Sequence, residues 1–69
     1  MDAREAALTV LREEGKPLHW TVIQDLALRR GYLDPFAEPN VRRRLLAALA
    51  EAVRDGSVVR EATGVYRLP

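Results

Sequence analysis

The chain has no cysteine and only one histidine, so its 69 residues have to be held together by a hydrophobic core. Disulfide bonds and thiolate metal sites are excluded, and a lone histidine does not form a structural zinc site. Hydrophobic residues make up 48% of the chain, which suffices for one core, and a chain of this length has no room for a second. We therefore expect one domain over residues 1–69, without cofactor or metal.

The N-terminal segment is predicted to be a helix from Ala3 to Glu14. Asp2 and Glu5 have the spacing of a capping box, in which each side chain accepts a hydrogen bond from a backbone N–H at the helix start. Gly15 suits the left-handed end of a helix. The sequence shows neither a signal peptide nor an apolar stretch long enough to span a membrane, so we expect a cytoplasmic protein.

A second helix, about nine residues long, is predicted after a short extended piece at residues 18–20. Thr21 and Gln24 form another capping-box pattern, and Gly31 ends the helix. Its apolar stripe consists of Val22, Ile23, Leu26 and Ala27. Trp20, directly before the predicted cap, is expected to pack in the core or against the helix start.

The segment GYLDPFAEPN at residues 31–40 is predicted to be a loop, because it contains one glycine and two prolines. Tyr32, Leu33 and Phe36 are expected to plug the core, since leaving large apolar side chains in water costs about 1.5–3 kcal/mol each. Asn40 suits the cap of the helix that follows.

A third helix is predicted from Val41 to about Asp55, with Gly56 at its end. Its core face consists of Val41, Leu45, Ala48, Leu49 and Ala52, with Val53 at the edge. The opposite face carries Arg43, Ala47, Ala50 and Arg54. This separation is typical of an amphipathic helix packed on a core.

The C-terminal residues predict a β-hairpin. Residues 58–61 and 65–68 are β-rich runs joined by a three-residue loop of Ala62, Thr63 and Gly64. The complete order is helix, short strand, helix, helix, strand, strand. This order indicates a mainly α fold with a small β-hairpin, the winged helix-turn-helix of three helices plus a wing.

Three consecutive arginines, Arg42, Arg43 and Arg44, lie in the first turn of the third helix. The positive end of the helix dipole disfavours each exposed cation there by about 0.3–1 kcal/mol. The next positions on the same helix, residues 45–48, are apolar, and only Glu38 outside the helix is close enough in sequence to pair with Arg42. By contrast, Asp25 is spaced to pair with Arg29, and Glu51 with Arg54.

An unpaired row of cations at this helix end indicates an anionic partner, and nucleic acid offers both phosphates and base edges. The charge distribution agrees, because residues 1–39 carry five basic and seven acidic side chains and residues 40–69 carry six basic and three acidic ones. The alternative is that the arginines only solubilise an exposed helix face.

The wing adds Arg60, Thr63 and Arg67, for which contact with DNA and a role limited to completing the sheet are equally open. The predicted DNA-binding residues are Asn40, Arg42, Arg43, Arg44, Ala47, Arg60, Thr63 and Arg67. No nucleophile–base pair, carboxylate pair or glycine-rich phosphate loop is recognised, so we do not expect an enzyme.

Three stretches, VLREEGKPLHWTVI, ALRRGYLDP and DGSVVREATGVYRL, resemble the HARE-type helix-turn-helix family over residues 6–68. The resemblance implies a winged-helix module of the kind found in chromatin proteins, restriction-type nucleases and the delta subunit of bacterial RNA polymerase. It implies binding to DNA or association with the transcription machinery.

Two hypotheses follow from the sequence. The first is a DNA-binding winged helix in transcription regulation, with double-stranded DNA as partner. The second is a winged helix that binds a protein, either RNA polymerase, another partner or a second copy of itself; apolar residues beyond the core stripe, Leu46 and Val53, favour it.

Overall fold

The computed structural model describes all residues from 1 to 69 and confirms the predicted order of elements. The elements are α1 (Ala3–Glu14), β1 (Leu18–His19), α2 (Trp20–Arg29), α3 (Val41–Arg54), β2 (Val59–Ala62) and β3 (Val65–Arg67). The strands form one antiparallel sheet in the order β1-β3-β2. Three helices and a hairpin wing in this arrangement are a winged helix-turn-helix. None of the helices combines the length and the apolar character needed to cross a membrane.

The core lies between the three helices and one face of the small sheet. Its buried side chains form a single cluster, in which α3 contributes Leu45, Leu49 and Ala52, as the helical periodicity predicts. The sheet adds Leu18 and Tyr66, which are neighbours across β1 and β3. No charged side chain is buried. Apolar packing therefore stabilises the fold, and the charged residues remain available at the surface.

The start of α2 differs from the prediction. The helix begins two residues earlier than the predicted cap at Thr21 implies, at Trp20, and its cap is His19, whose Nδ1 accepts a hydrogen bond from the Thr21 backbone N–H at 3.2 Å. The capping box of Thr21 and Gln24 is therefore wrong. Val22, predicted in the apolar stripe, is 41% exposed, whereas Ile23 and Ala27 of the same stripe are buried.

The loop between α2 and α3 packs only partly as expected. Leu33 is buried, and Tyr32 is half-buried against the core. Phe36 does not plug the core and is 96% exposed. The reason is a tight local turn, in which the Asp34 side chain accepts a hydrogen bond from the Phe36 N–H and the Asp34 carbonyl accepts one from the Glu38 N–H. This turn closes the loop on itself and directs Phe36 outward.

The wing is tighter than predicted, because Ala62 belongs to β2 and pairs with Val65. Only Thr63 and Gly64 lie between the strands, and an irregularity between Arg60 and Ala62 accommodates the extra residue in β2. The turn between the strands is therefore short.

Candidate nucleic-acid interface

The start of α3 is open to solvent and carries no capping side chain. Asn40 precedes the helix in a left-handed conformation, with φ of 63°, and its side chain makes no cap hydrogen bond. Asn40 thus occupies the predicted cap position, but its side chain does not satisfy a backbone N–H of the helix; asparagine tolerates the left-handed conformation better than most residues. The first turn contains no acidic residue. Backbone N–H groups and the positive end of the dipole face outward here.

The arginines of this turn are exposed and form no ion pair, as the sequence predicts for a row without acidic neighbours. Glu38 does not pair with Arg42. The predicted pair of Asp25 and Arg29 does form, at 3.0 Å. The predicted pair of Glu51 and Arg54 does not form, so both ends of α3 carry free guanidinium groups.

Arg42 nevertheless has a partner that the sequence does not reveal. Its guanidinium carbon lies 5.1 Å from the centre of the Trp20 ring, a distance typical of a cation–π contact. Trp20 packs against the core, as predicted, but its ring also supports this arginine. The sequence contains one indication of this contact, because an aromatic residue, Trp20, lies at the start of one helix of the helix-turn-helix and an arginine, Arg42, lies at the start of the next.

The wing turn lies beside the same tryptophan. The Trp20 backbone N–H donates a hydrogen bond to the Gly64 carbonyl at 2.9 Å. The two α-hydrogens of Gly64 leave room for the His19 ring, because a Cβ there would lie 2.7 Å from His19 Nε2. Thr63, the exposed residue before this glycine, is thereby held close to the start of α2.

The residues predicted on α3 divide between two shallow depressions. Asn40, Arg42 and Arg43 line one of them together with Leu46. Arg44 and Ala47 line another, which they share with acidic side chains: Asp2, Glu38 and Glu51. The only charged residues at the rim of the first depression are therefore cations, whereas the second is mixed in charge.

The two wing arginines also differ. Arg60 is exposed and forms no ion pair. Arg67 is partly buried, its Nε lies 3.4 Å from a Glu61 carboxylate oxygen, and it donates a hydrogen bond to the Leu68 carbonyl. Much of the Arg67 charge is thus balanced within the wing, and Arg60 is the better placed of the two to contact an anion.

Comparison of the sequence with models of known protein families shows which family the chain belongs to. The family model of HARE-HTH, a helix-turn-helix domain described for ASXL proteins and restriction endonucleases among others, matches residues 1–68. The chain belongs to the HARE-HTH family. No curated protein and no solved structure matches this HARE-HTH domain significantly. The match confirms the resemblance stated from the sequence, and it is to a helix-turn-helix family rather than a catalytic one.

Proposed function

We propose that this HARE-HTH domain binds double-stranded DNA in the cytoplasm and acts in transcription regulation, with α3 as its recognition helix. The observation that carries the proposal is the row of Arg42, Arg43 and Arg44, which is exposed at a helix N-terminus and has no carboxylate partner. Helix-turn-helix proteins place the N-terminal residues of the recognition helix in the major groove. Phosphates and guanine edges there are the acceptors that arginine binds best.

Within this row, the surroundings favour Arg43 as the residue that reaches deepest into the groove. It is exposed, it belongs to the depression with the cationic rim, and the small Ala47 and Ala50 on the exposed face allow close approach of DNA. Arg44 shares its surroundings with Glu38 and Glu51, which repel phosphate. We assign it a weaker contribution.

The wing extends the proposed interface along the DNA backbone. Thr63 and Arg60 are exposed, and the turn is held beside the start of α2 by the hydrogen bond from Trp20 to Gly64. A hydroxyl and a free guanidinium suit contacts with phosphate, which position a protein without reading sequence. Arg67, already paired with Glu61, contributes less.

The first experiment is chemical-shift mapping of the labelled 69-residue domain with duplex DNA of random sequence at low salt. We expect shifts at the start of α3, at Trp20 and Thr21, and at the wing turn. Shifts spread evenly over the surface, or none at all, would contradict the proposal.

The second experiment compares two double variants of equal charge. The double variant Arg42→Ala with Arg43→Ala should weaken DNA binding. Its log affinity should also fall less steeply with log salt, by about 0.9 in slope per lost phosphate contact. Arg29→Ala with Arg54→Ala removes the same charge away from the start of α3 and serves as the control. If the two double variants weakened DNA binding equally, the binding would depend on net charge and not on the start of α3, which would contradict the proposal.

A second candidate function, protein interaction, is favoured by the full exposure of Phe36. An aromatic ring in water at the tip of a loop is a common anchor of protein interfaces. Sedimentation of the domain with and without Phe36→Ser tests self-association. A domain that does not shift DNA and that self-associates only with Phe36 present would favour this candidate over the first, whereas a monomer would leave RNA polymerase or another protein as the partner to test.

A further inference from the structure

Trp20 contacts both elements that the proposed interface combines. Its ring lies under the Arg42 guanidinium, at 5.1 Å, and its backbone N–H holds the wing turn through the Gly64 carbonyl, at 2.9 Å. The ring is half-buried against the core, so it is fixed in place by packing. An aromatic residue whose ring is anchored on one side and presents a face to an arginine on the other is suited to position that arginine.

We infer that Trp20 is a positioning residue, which holds Arg42 in the orientation needed to bind a DNA phosphate. The inference rests on the proposed function, because it assigns a task to one arginine of the proposed interface. A guanidinium held over a ring by a cation–π contact still has N–H donors to offer to other groups. Arg42 forms no ion pair in the free domain, so these donors remain available to bind a phosphate in bidentate fashion.

The same contact separates the roles of Arg42 and Arg43. The contact with Trp20 restricts the rotamers of Arg42 before DNA arrives, which lowers the entropy lost on binding and limits where its donors point. Arg43 has no aromatic or acidic partner and stays free to adapt to base edges. Arg42 therefore contributes affinity that is independent of DNA sequence, and any preference among sequences comes from other residues of α3.

A double-mutant cycle on DNA affinity tests this assignment. Trp20→Leu keeps an apolar side chain and the backbone hydrogen bond to Gly64 but removes the ring. We expect it to weaken binding about threefold in the wild-type background, in line with the strength of an exposed cation–π contact, and far less in an Arg42→Ala background. Trp20→Phe, which retains a weaker ring face, should restore part of the loss.

Fluorescence provides a readout that a merely structural tryptophan would not change. Trp20 is the only tryptophan of the chain, so the Arg42→Ala variant should shift its emission in the absence of DNA, while Arg54→Ala should not. Thermal unfolding of each variant verifies that it is folded.

The outcomes separate this inference from the proposed function. Wild-type protein that fails to bind duplex DNA would overturn both. DNA binding with losses from Trp20→Leu and Arg42→Ala that simply add, or with emission unaffected by Arg42→Ala, would overturn the positioning role alone. Equal weakening of several unrelated duplexes by Arg42→Ala supports the phosphate contact, and weakening of only one sequence contradicts it.

Discussion

Arginines lie at helix ends in two regions of the molecule, and only one of these regions supplies carboxylates for them. Beyond the C-terminus of α2, Arg30 donates hydrogen bonds to Glu13 and Glu14 at 2.8 Å each, and Tyr32 donates one to Glu13 at 2.6 Å. At the N-terminus of α3, the row of residues 42–44 has no carboxylate partner, and one aromatic ring supports one of its three side chains.

The two regions also differ in the sign of the helix dipole at the positions of their arginines. Arg30 lies at the negative end of α2, where a cation is favoured, and it also neutralises two glutamates at the unfavourable end of α1. The row on α3 lies at a positive end, where a cation is disfavoured, and none of its arginines forms an ion pair. Charges of the first region pair within the domain, whereas those of the second belong to the proposed DNA interface. The two regions should therefore respond in opposite ways to substitution.

The largest contrast is expected for Arg43→Glu. An acidic side chain in the first turn of α3 suits the dipole and should stabilise the fold by about 0.3–1 kcal/mol. The same change removes an arginine contact and places a negative charge against phosphate, so DNA affinity should fall roughly a hundredfold. Unfolding curves and binding titrations at one fixed salt concentration measure both effects.

Arg30→Ala is the matched change in the paired region. It leaves two glutamates without their partner and should lower the midpoint of thermal unfolding, with DNA affinity changed only as far as net charge requires. If Arg43→Glu destabilised the fold, or if Arg30→Ala weakened DNA binding as much as Arg43→Glu, the division between the two regions would be wrong.

A second, smaller contrast concerns two glycines with almost the same backbone, Gly15 with φ of 65° and Gly64 with φ of 73°. An alanine at either position should lower the free energy of unfolding by roughly 1–2 kcal/mol, because a Cβ disfavours the left-handed conformation. At Gly15 the new Cβ meets open space, but at Gly64 it lies 2.7 Å from His19 Nε2. Displacing His19 weakens the cap of α2, which should add about 0.5–2 kcal/mol to the loss of stability.

The comparison of Gly64→Ala with Gly15→Ala also tests the interface. Only the change at Gly64 disturbs the hydrogen-bonded neighbour of Trp20, so only it should reduce DNA affinity in protein that is still folded. Chemical denaturation gives the two stabilities, and titration below the unfolding transition gives the affinities. Identical stabilities would show that the wing turn does not bear on the start of α2.

Patterns that depend on near neighbours were predictable from the sequence. The cap at Asp2, whose side chain accepts from the Glu5 N–H at 2.8 Å, follows from residues three positions apart, and so does the core stripe of α3. The absence of acidic residues from the first turn of α3 was predictable for the same reason.

Features that depend on tertiary placement were not predictable. His19 replaces Thr21 as the cap because pairing of β1 with β3 fixes where the strand ends and the helix begins. Phe36 points outward because its loop closes through Asp34, which a count of apolar residues does not reveal. The contact of Arg42 with Trp20 joins two helices across a loop, so it cannot be predicted from the spacing of neighbouring residues.

The smallest predicted effect is on the pH dependence of stability in the paired region. The hydrogen bond from Tyr32 is the main cause that lowers the pKa of Glu13 below its usual value of 4.5, and Arg30 adds to it. A carboxyl whose pKa is lowered on folding stabilises the fold above pH 4.5, and this contribution is lost as the pH falls through the lowered pKa. The same hydrogen bond raises the pKa of Tyr32 above 10.0, so its contribution is lost as the pH rises through the raised value.

Tyr32→Phe should therefore flatten the stability profile at both limits, acid and alkaline, and leave DNA binding at neutral pH unchanged. Ser57→Ala is the control, because hydrogen bonds from the Ser57 hydroxyl and backbone N–H are the main causes that lower the pKa of Asp55. The substitution removes the hydroxyl bond, the larger cause, and should affect only the acid limb. Urea unfolding from acid to alkaline pH measures both variants. An alkaline limb that persists in Tyr32→Phe would mean that Tyr32 and Glu13 are not bonded in solution, and the paired region would then rest on Arg30 alone.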